Sequence, residues 1–83
     1  MSYCVYIIYS EKLDRYYVGY SENITIRLEQ HNKGLSAFTA KVSDWKIVYQ
    51  KSFPTRQQAH QREKEIKSKK SRKYIQWLIS SAG

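Results

Sequence analysis

One cysteine and one proline stand in the 83 residues, and only three glycines. A lone cysteine, Cys4, cannot form an intrachain disulfide and cannot supply a cysteine-based metal cluster. It lies in an apolar run and reads as a small buried hydrophobe. Scarce glycine and proline imply that most of the chain lies in regular elements. Long hydrophobic runs are also missing. The longest, Val5 to Tyr9, is far shorter than the ~20 residues needed to cross a bilayer. No basic flank and cleavage site mark a secretory signal. These absences, with a single thiol, point to a reducing cytoplasm and to no membrane partner. There is no internal repeat, no Walker-type phosphate loop and no dinucleotide-binding glycine pattern. His31 and His60 lack zinc-finger spacing to cysteines, and no serine stands in a nucleophile elbow.

Acidic residues are few as well: 7 against 15 lysines and arginines, for a net charge of +8. Such an excess favours a polyanionic partner, because each phosphate neutralised by a cation releases counterions. Hydrophobic residues make up 41% of the chain and aromatics 14%, too apolar for a disordered segment. Residues 1–83 are therefore expected to form a single small domain with a modest core.

Tyr3 to Ser10 is β-branched and aromatic, as a strand prefers, and apolar on both alternating faces, so a central strand or one covered on both sides is predicted. Glu11 to Arg15 is a polar hairpin loop, and Tyr16 to Ser21 the returning antiparallel strand. The period then changes. Asn23 or Ser21 can cap a helix running to about Lys33, with Ile24, Leu28 and His31 on one face and Gly34 closing it. Leu35 to Ser43 reads as loop. Trp45 to Phe53 alternates Trp45, Ile47 and Tyr49 against Lys46 and Gln50, a third strand that Pro54 ends. Thr55 and Gln58 match a capping box for a helix from Thr55 to about Lys67. Ser71 caps a last helix bearing Tyr74, Ile75, Leu78 and Ile79. The order β-β-α-β-α-α gives an α+β (mixed α/β) class: a small, mainly antiparallel three-stranded sheet flanked by helices.

Some residues sit where folding alone prefers others. Ala59, Glu63 and Ile66 fall within roughly 60° of one another on a helix, which aims the Glu63 carboxylate at an apolar stripe. Such a group is paired, protonated or metal-bound. An ion pair to a neighbouring lysine or arginine and a metal site are equally good readings. Arg27 and His31, four apart, share a helix face. Arginine suits phosphate through its fixed fork of donors, and histidine moves a proton near neutral pH. Alternation puts Tyr17 and Gly19 on one strand face. The glycine there is expected to leave open space beside the Tyr17 phenol, within reach of Tyr6 if the register allows. Most of the eight tyrosines are strand-formers, and Tyr3, Tyr9 and Tyr49 need no further role.

Taken together, Cys4-Val5-Tyr6, Tyr17-Val18-Gly19 ten to eleven residues on, Arg27-x-x-x-His31-Asn32, and Ala59-x-x-x-Glu63-x-x-Ile66-Lys67 resemble the GIY-YIG nuclease superfamily. The likeness covers nearly the whole chain. It is strongest to the short stand-alone bacterial members, similar to the UvrC N-terminal nuclease domain. Cys4 and Val5 replace glycine and isoleucine of the first motif. No asparagine follows Asn32, although some members use one late in the domain. The resemblance implies a divalent-metal-dependent DNA endonuclease, serving DNA repair or processing, with branched and nicked DNA among its candidate substrates. One Mg²⁺ or Mn²⁺ held by Glu63 would polarise the phosphate. Arg27 would hold a non-bridging oxygen, and Tyr6, relayed by His31, would serve as base with Tyr17 orienting the water or phosphate. The two tyrosine roles are interchangeable at this level. A non-catalytic nucleic-acid-binding module of the same fold remains the alternative. It needs only the cations Lys64, Lys67, Lys69, Lys70, Arg72 and Lys73 as phosphate contacts. A protein-interaction domain with Trp45 and Trp77 as exposed anchors is the third reading.

Overall fold

The structure is a computed structural model that describes residues 2–34 and 40–81. The chain forms strand β1 (Tyr3–Ser10), strand β2 (Arg15–Ser21), helix α1 (Ile24–Asn32), strand β3 (Lys46–Phe53), helix α2 (Arg56–Ser68) and helix α3 (Arg72–Ser80). The strands make one antiparallel sheet in the order β2-β1-β3. The expected order of elements and the central place of β1 are both borne out. Because β1 is central, its alternating side chains feed two cores. Val5 and Ile7 pack with Val18, Ala59, Ile66 and Leu78 beneath α2 and α3. Tyr6 and Ile8 pack with Trp45, Ile24 and Leu28 beneath α1. A strand apolar on both faces is the residue pattern that two covered faces require.

The helix boundaries follow from their caps. Asn23 accepts from the Ile26 amide at 3.1 Å, Thr55 from Gln58 at 3.2 Å and Ser71 from Tyr74 at 3.1 Å. Each satisfies one amide that the first helical turn leaves without a partner. Gly34 adopts φ +77 after α1, the left-handed geometry that glycine takes without steric cost. Of the segment expected as loop, residues 40–43 form no helix or strand, with a turn at 40–41 and a bend at 43; 35–39 lie outside the described residues.

Three expectations are corrected. In β3 the register slips between Ile7↔Tyr49 and Ile8↔Ile47, so Val48 is an extra residue. This bulge turns Ile47 toward the α1 side and Tyr49 toward the α2 side, where a regular strand would have kept them on one face. Trp45 is not an exposed anchor: it is 5% exposed, its backbone bracketed by the Asn32 amide through bonds of 2.8 and 3.1 Å. Trp77 is the exposed one, at 59%. Cys4 is half-buried, its Sγ 3.4 Å from the Ser52 hydroxyl, rather than a core residue.

Candidate active site at the outer edge of the sheet

Strand β2 is an outer strand, and its Tyr17 and Gly19 face the α1 side of the sheet. The β1–β2 register sets Tyr6 directly opposite Gly19. The space that glycine creates is therefore filled. A Cβ built on Gly19 would stand 2.6 Å from Tyr6 Oη and 2.8 Å from Cζ. The Tyr6 ring crosses β2 over the glycine and carries its hydroxyl toward the strand's free edge. Sequence reading expected open space at this point; the register decides otherwise.

Helix α1 places His31 behind that hydroxyl. His31 is fully buried, its Nε2 is 2.9 Å from Tyr6 Oη, and its ring packs edge-on against both Tyr6 and Tyr17. Burial, aided by the Arg27 charge, pulls its pKa down to about 4, so the imidazole is neutral at pH 7. Tyr6 moves the other way. Burial raises its phenol above the ordinary value, and the nearby Arg27 guanidinium offsets only part of that rise. The resting pair is a neutral phenol against a neutral imidazole.

One turn before His31, Arg27 is half-buried and donates through Nη1 to Gln30 Oε1 at 3.0 Å. From across the strand edge, α2 supplies Glu63, whose side chain is only 13% exposed. Its carboxylate lies 3.5 Å from Lys67 Nζ, one turn on. The ion pair foreseen as one of two readings is thus present, and the carboxylate also opens onto the site. Tyr6, Tyr17, Gly19, Arg27, Gln30 and Glu63 line a single pocket of about 440 Å³.

The sequence-derived residues thus divide. Tyr6, Tyr17, Arg27 and Glu63 meet at one pocket, with Gly19 as part of its floor. His31 is not among the residues lining the pocket and is joined to it through its bond to Tyr6. The six expected phosphate contacts are spread over α2, α3 and the turn between them. Lys67 and Lys70 line the adjoining hollow, as does Arg72, which is held by Asp14 and stacks over Tyr16 at 5.2 Å. Lys69 lies over the Tyr74 ring at 5.6 Å, and Lys64 and Lys73 are exposed on α2 and α3. Gln30 and Tyr20 line the pocket and were not foreseen. Gln30 was findable, since it stands three residues after Arg27 on the same helix face.

Among the described residues no three His, Cys, Asp or Glu side chains gather as a metal cage. A single carboxylate facing a polar pocket nevertheless suits a hard divalent cation. Mg²⁺ keeps several waters and binds through one or two carboxylates plus substrate phosphates. Glu63 fits an ion shared with substrate, not one locked permanently into the protein. Among the described residues no helix is long and apolar enough to cross a membrane.

Comparison with known proteins bears on the same residues. UPF0213 proteins of Staphylococcus aureus strains Mu3 and Mu50 are each 40% identical to this chain over 53 residues. The match spans 63% of this chain and 65% of theirs, just under two thirds of the relatives' own length. The fold is similar to the solution NMR structure of a UPF0213 protein from Bacillus halodurans, with TM-score 0.63 and 27% identity. That likeness covers 100% of this chain and 87% of the other. The model of the GIY-YIG catalytic domain matches residues 2–75, a span holding both tyrosines, Arg27, His31 and Glu63, and the chain belongs to the GIY-YIG family.

Proposed function

We propose that the protein is a divalent-metal-dependent endonuclease that hydrolyses phosphodiester bonds in DNA, in repair or processing. The observation that supports this most directly is the meeting of Tyr6, Tyr17, Arg27 and Glu63 at one pocket. Folding gives no reason to bring a largely buried carboxylate, a half-buried guanidinium and two phenols to one edge of a sheet. A phosphodiester gives each of them work.

Arg27 holds a non-bridging oxygen, its fork steadied by Gln30. Glu63 would hold Mg²⁺ or Mn²⁺, which when bound supplies Lewis-acid stabilisation of charge on the phosphate and leaving oxygen. Tyr6 gives its hydroxyl proton to the hydrogen bond with His31 Nε2, which leaves its oxygen lone pairs for a proton of the attacking water. That water passes a proton to Tyr6 as Tyr6 passes its own to His31. Before substrate binds, His31 is a weak acceptor, with its pKa near 4. An arriving phosphate neutralises Arg27, one cause of that depression, and adds negative charge that favours imidazolium. The relay is therefore strengthened by substrate itself. Tyr17 orients the water or the phosphate from the other wall.

The test is cleavage of nicked, branched and supercoiled DNA with Mg²⁺ or Mn²⁺, comparing wild type with Tyr6→Phe, Tyr17→Phe, Arg27→Ala and Glu63→Ala. Arg27→Ala is expected to lose about 10²- to 10³-fold, the scale for one donor to a transition-state oxyanion. Glu63→Ala should stop cutting while binding persists. Wild type that binds but cuts no substrate would make the chain a binding module instead.

A further inference from the structure

Across Tyr17 from the site lies a second hollow of about 800 Å³, bounded by β2, the β1–β2 hairpin and the α2–α3 turn. Its volume falls within the ~300–1,000 Å³ of small-molecule sites. The floor is apolar, made by Leu13, Val18, Ile66 and Ile75. The rim is cationic: Arg15, Lys67, Lys70 and Arg72 stand against one carboxylate, Asp14. That carboxylate is already taken by Arg72 and by the Tyr9 hydroxyl at 2.6 Å. The walls are aromatic, with Lys67 Nζ 5.5 Å from the Tyr17 ring centre and the Arg72 guanidinium over Tyr16.

Lys70 adds an independent sign. It holds φ 47 at the turn between α2 and α3, a geometry glycine takes freely and a lysine takes at a cost. A residue chosen for folding would be glycine. The lysine instead lends its side chain to the hollow.

Resting on the nuclease reading above, we infer that this hollow seats an unpaired nucleotide adjoining the scissile phosphodiester. The substrate class is then nucleic acid with a single-stranded position beside the cut. The cationic rim complements the phosphates on either side, and the apolar floor with its aromatic walls takes a base face. Base–aromatic and base–guanidinium stacking is how proteins hold unstacked bases. Tyr17 belongs to both walls, so the occupant of the hollow is continuous with the strand in the site. A base inside a duplex has its faces stacked and its edges paired, and cannot reach such a floor without leaving the helix.

The experiment uses one sequence presented as full duplex, duplex with a single-nucleotide bulge, splayed arm and single strand. Cutting by wild type with Mn²⁺ and metal-free binding by Glu63→Ala are both measured. Binding is expected to be at least tenfold tighter to the forms with an unpaired nucleotide, with cuts within a nucleotide or two of it. Lys70→Gly relieves the backbone and should raise the melting temperature, yet weaken binding to the unpaired forms several-fold more than to duplex. Ile75→Trp, which fills the hollow, should erode the same preference. Equal binding to duplex and unpaired forms overturns the inference, and the nuclease reading then stands wherever cutting is seen. A binding preference with no cutting upholds the seating of an unpaired nucleotide in the hollow and removes only the nuclease reading. Lys70→Gly that leaves the preference unchanged also overturns it.

Discussion

The phenol of Tyr6 occupies the place where a side chain on Gly19 would begin, with Oη 2.6 Å from the built Cβ position. Two motif residues are thereby one feature: the glycine exists so that the tyrosine can cross its strand. Tyr6 is buried and bonded to His31, so its ring has little room to yield. Gly19→Ala should cost about 1–3 kcal/mol by overpacking and displace the hydroxyl from the pocket. Denaturant melts and cleavage rates check this together. Tyr6→Ala combined with Gly19→Ala should cost less stability than the two single variants summed, and should recover none of the activity. If the two stability losses simply add, the contact is not the cause.

His31 makes stability depend on pH. Its folded pKa near 4 lies below the ordinary 6.5, so the unfolded chain binds the proton more readily. The contribution is fully present above pH 6.5 and is lost as pH falls through that value toward 4. The span corresponds to about 3 kcal/mol. Chemical unfolding of wild type and His31→Gln at pH 7.5 and 4.5 measures it. Wild type should lose stability in acid markedly more than the variant; equal slopes would mean that His31 is not the group that titrates.

Much of this was legible in the residues. Val5 to Ile8 announce a strand covered on both sides because no polar side chain interrupts either face. Asn23, Thr55 and Ser71 announce helix starts because each hydroxyl or amide has an orphan N–H to satisfy. Glu63 stands out as a carboxylate aimed at an apolar stripe and Tyr17 as the neighbour of a strand glycine, whereas Tyr6, Arg27 and His31 gain their place only from spacing and resemblance. What was not legible depends on pairing. The bulge at Val48 is silent in the pattern, because Ile47, Val48 and Tyr49 are all apolar and either alternation is plausible. The filling of Gly19 by Tyr6 needed the register. Arg72 reads as a free cation until the fold brings Asp14, 58 residues away, against it.

Lys67 competes for the carboxylate proposed to hold the cation. Its Nζ lies 3.5 Å from Glu63 Oε2, with half the lysine side chain in solvent. With its lysine half in solvent and the ammonium 3.5 Å from the carboxylate, this pair contributes only ~0–1 kcal/mol to folding, so Lys67→Met should melt almost as wild type. Metal dependence should change more. Without the ammonium, half-maximal cleavage is expected at several-fold lower Mn²⁺, while KM for DNA rises because a phosphate contact is gone. Titrating Mn²⁺ at saturating and at limiting DNA separates the two effects. An unchanged metal midpoint would mean that Glu63 does not hold the ion.

Gln30 sets the aim of Arg27. The 3.0 Å bond from Nη1 to Oε1 fixes one arm of a guanidinium that is otherwise a long, rotamer-rich side chain. Both residues line the site pocket and a further hollow of about 360 Å³ beside it, so a loosened Arg27 has somewhere else to point. Gln30→Ala should therefore lower kcat by about tenfold, the equivalent of one modest hydrogen bond, with little change in melting temperature. Gln30→Glu keeps the acceptor but adds a charge that competes with the phosphate for the guanidinium. Its loss should appear chiefly in KM and shrink as salt is raised. If Gln30→Ala and Gln30→Glu behave alike, the side chain merely fills space and Arg27 is positioned by its own helix.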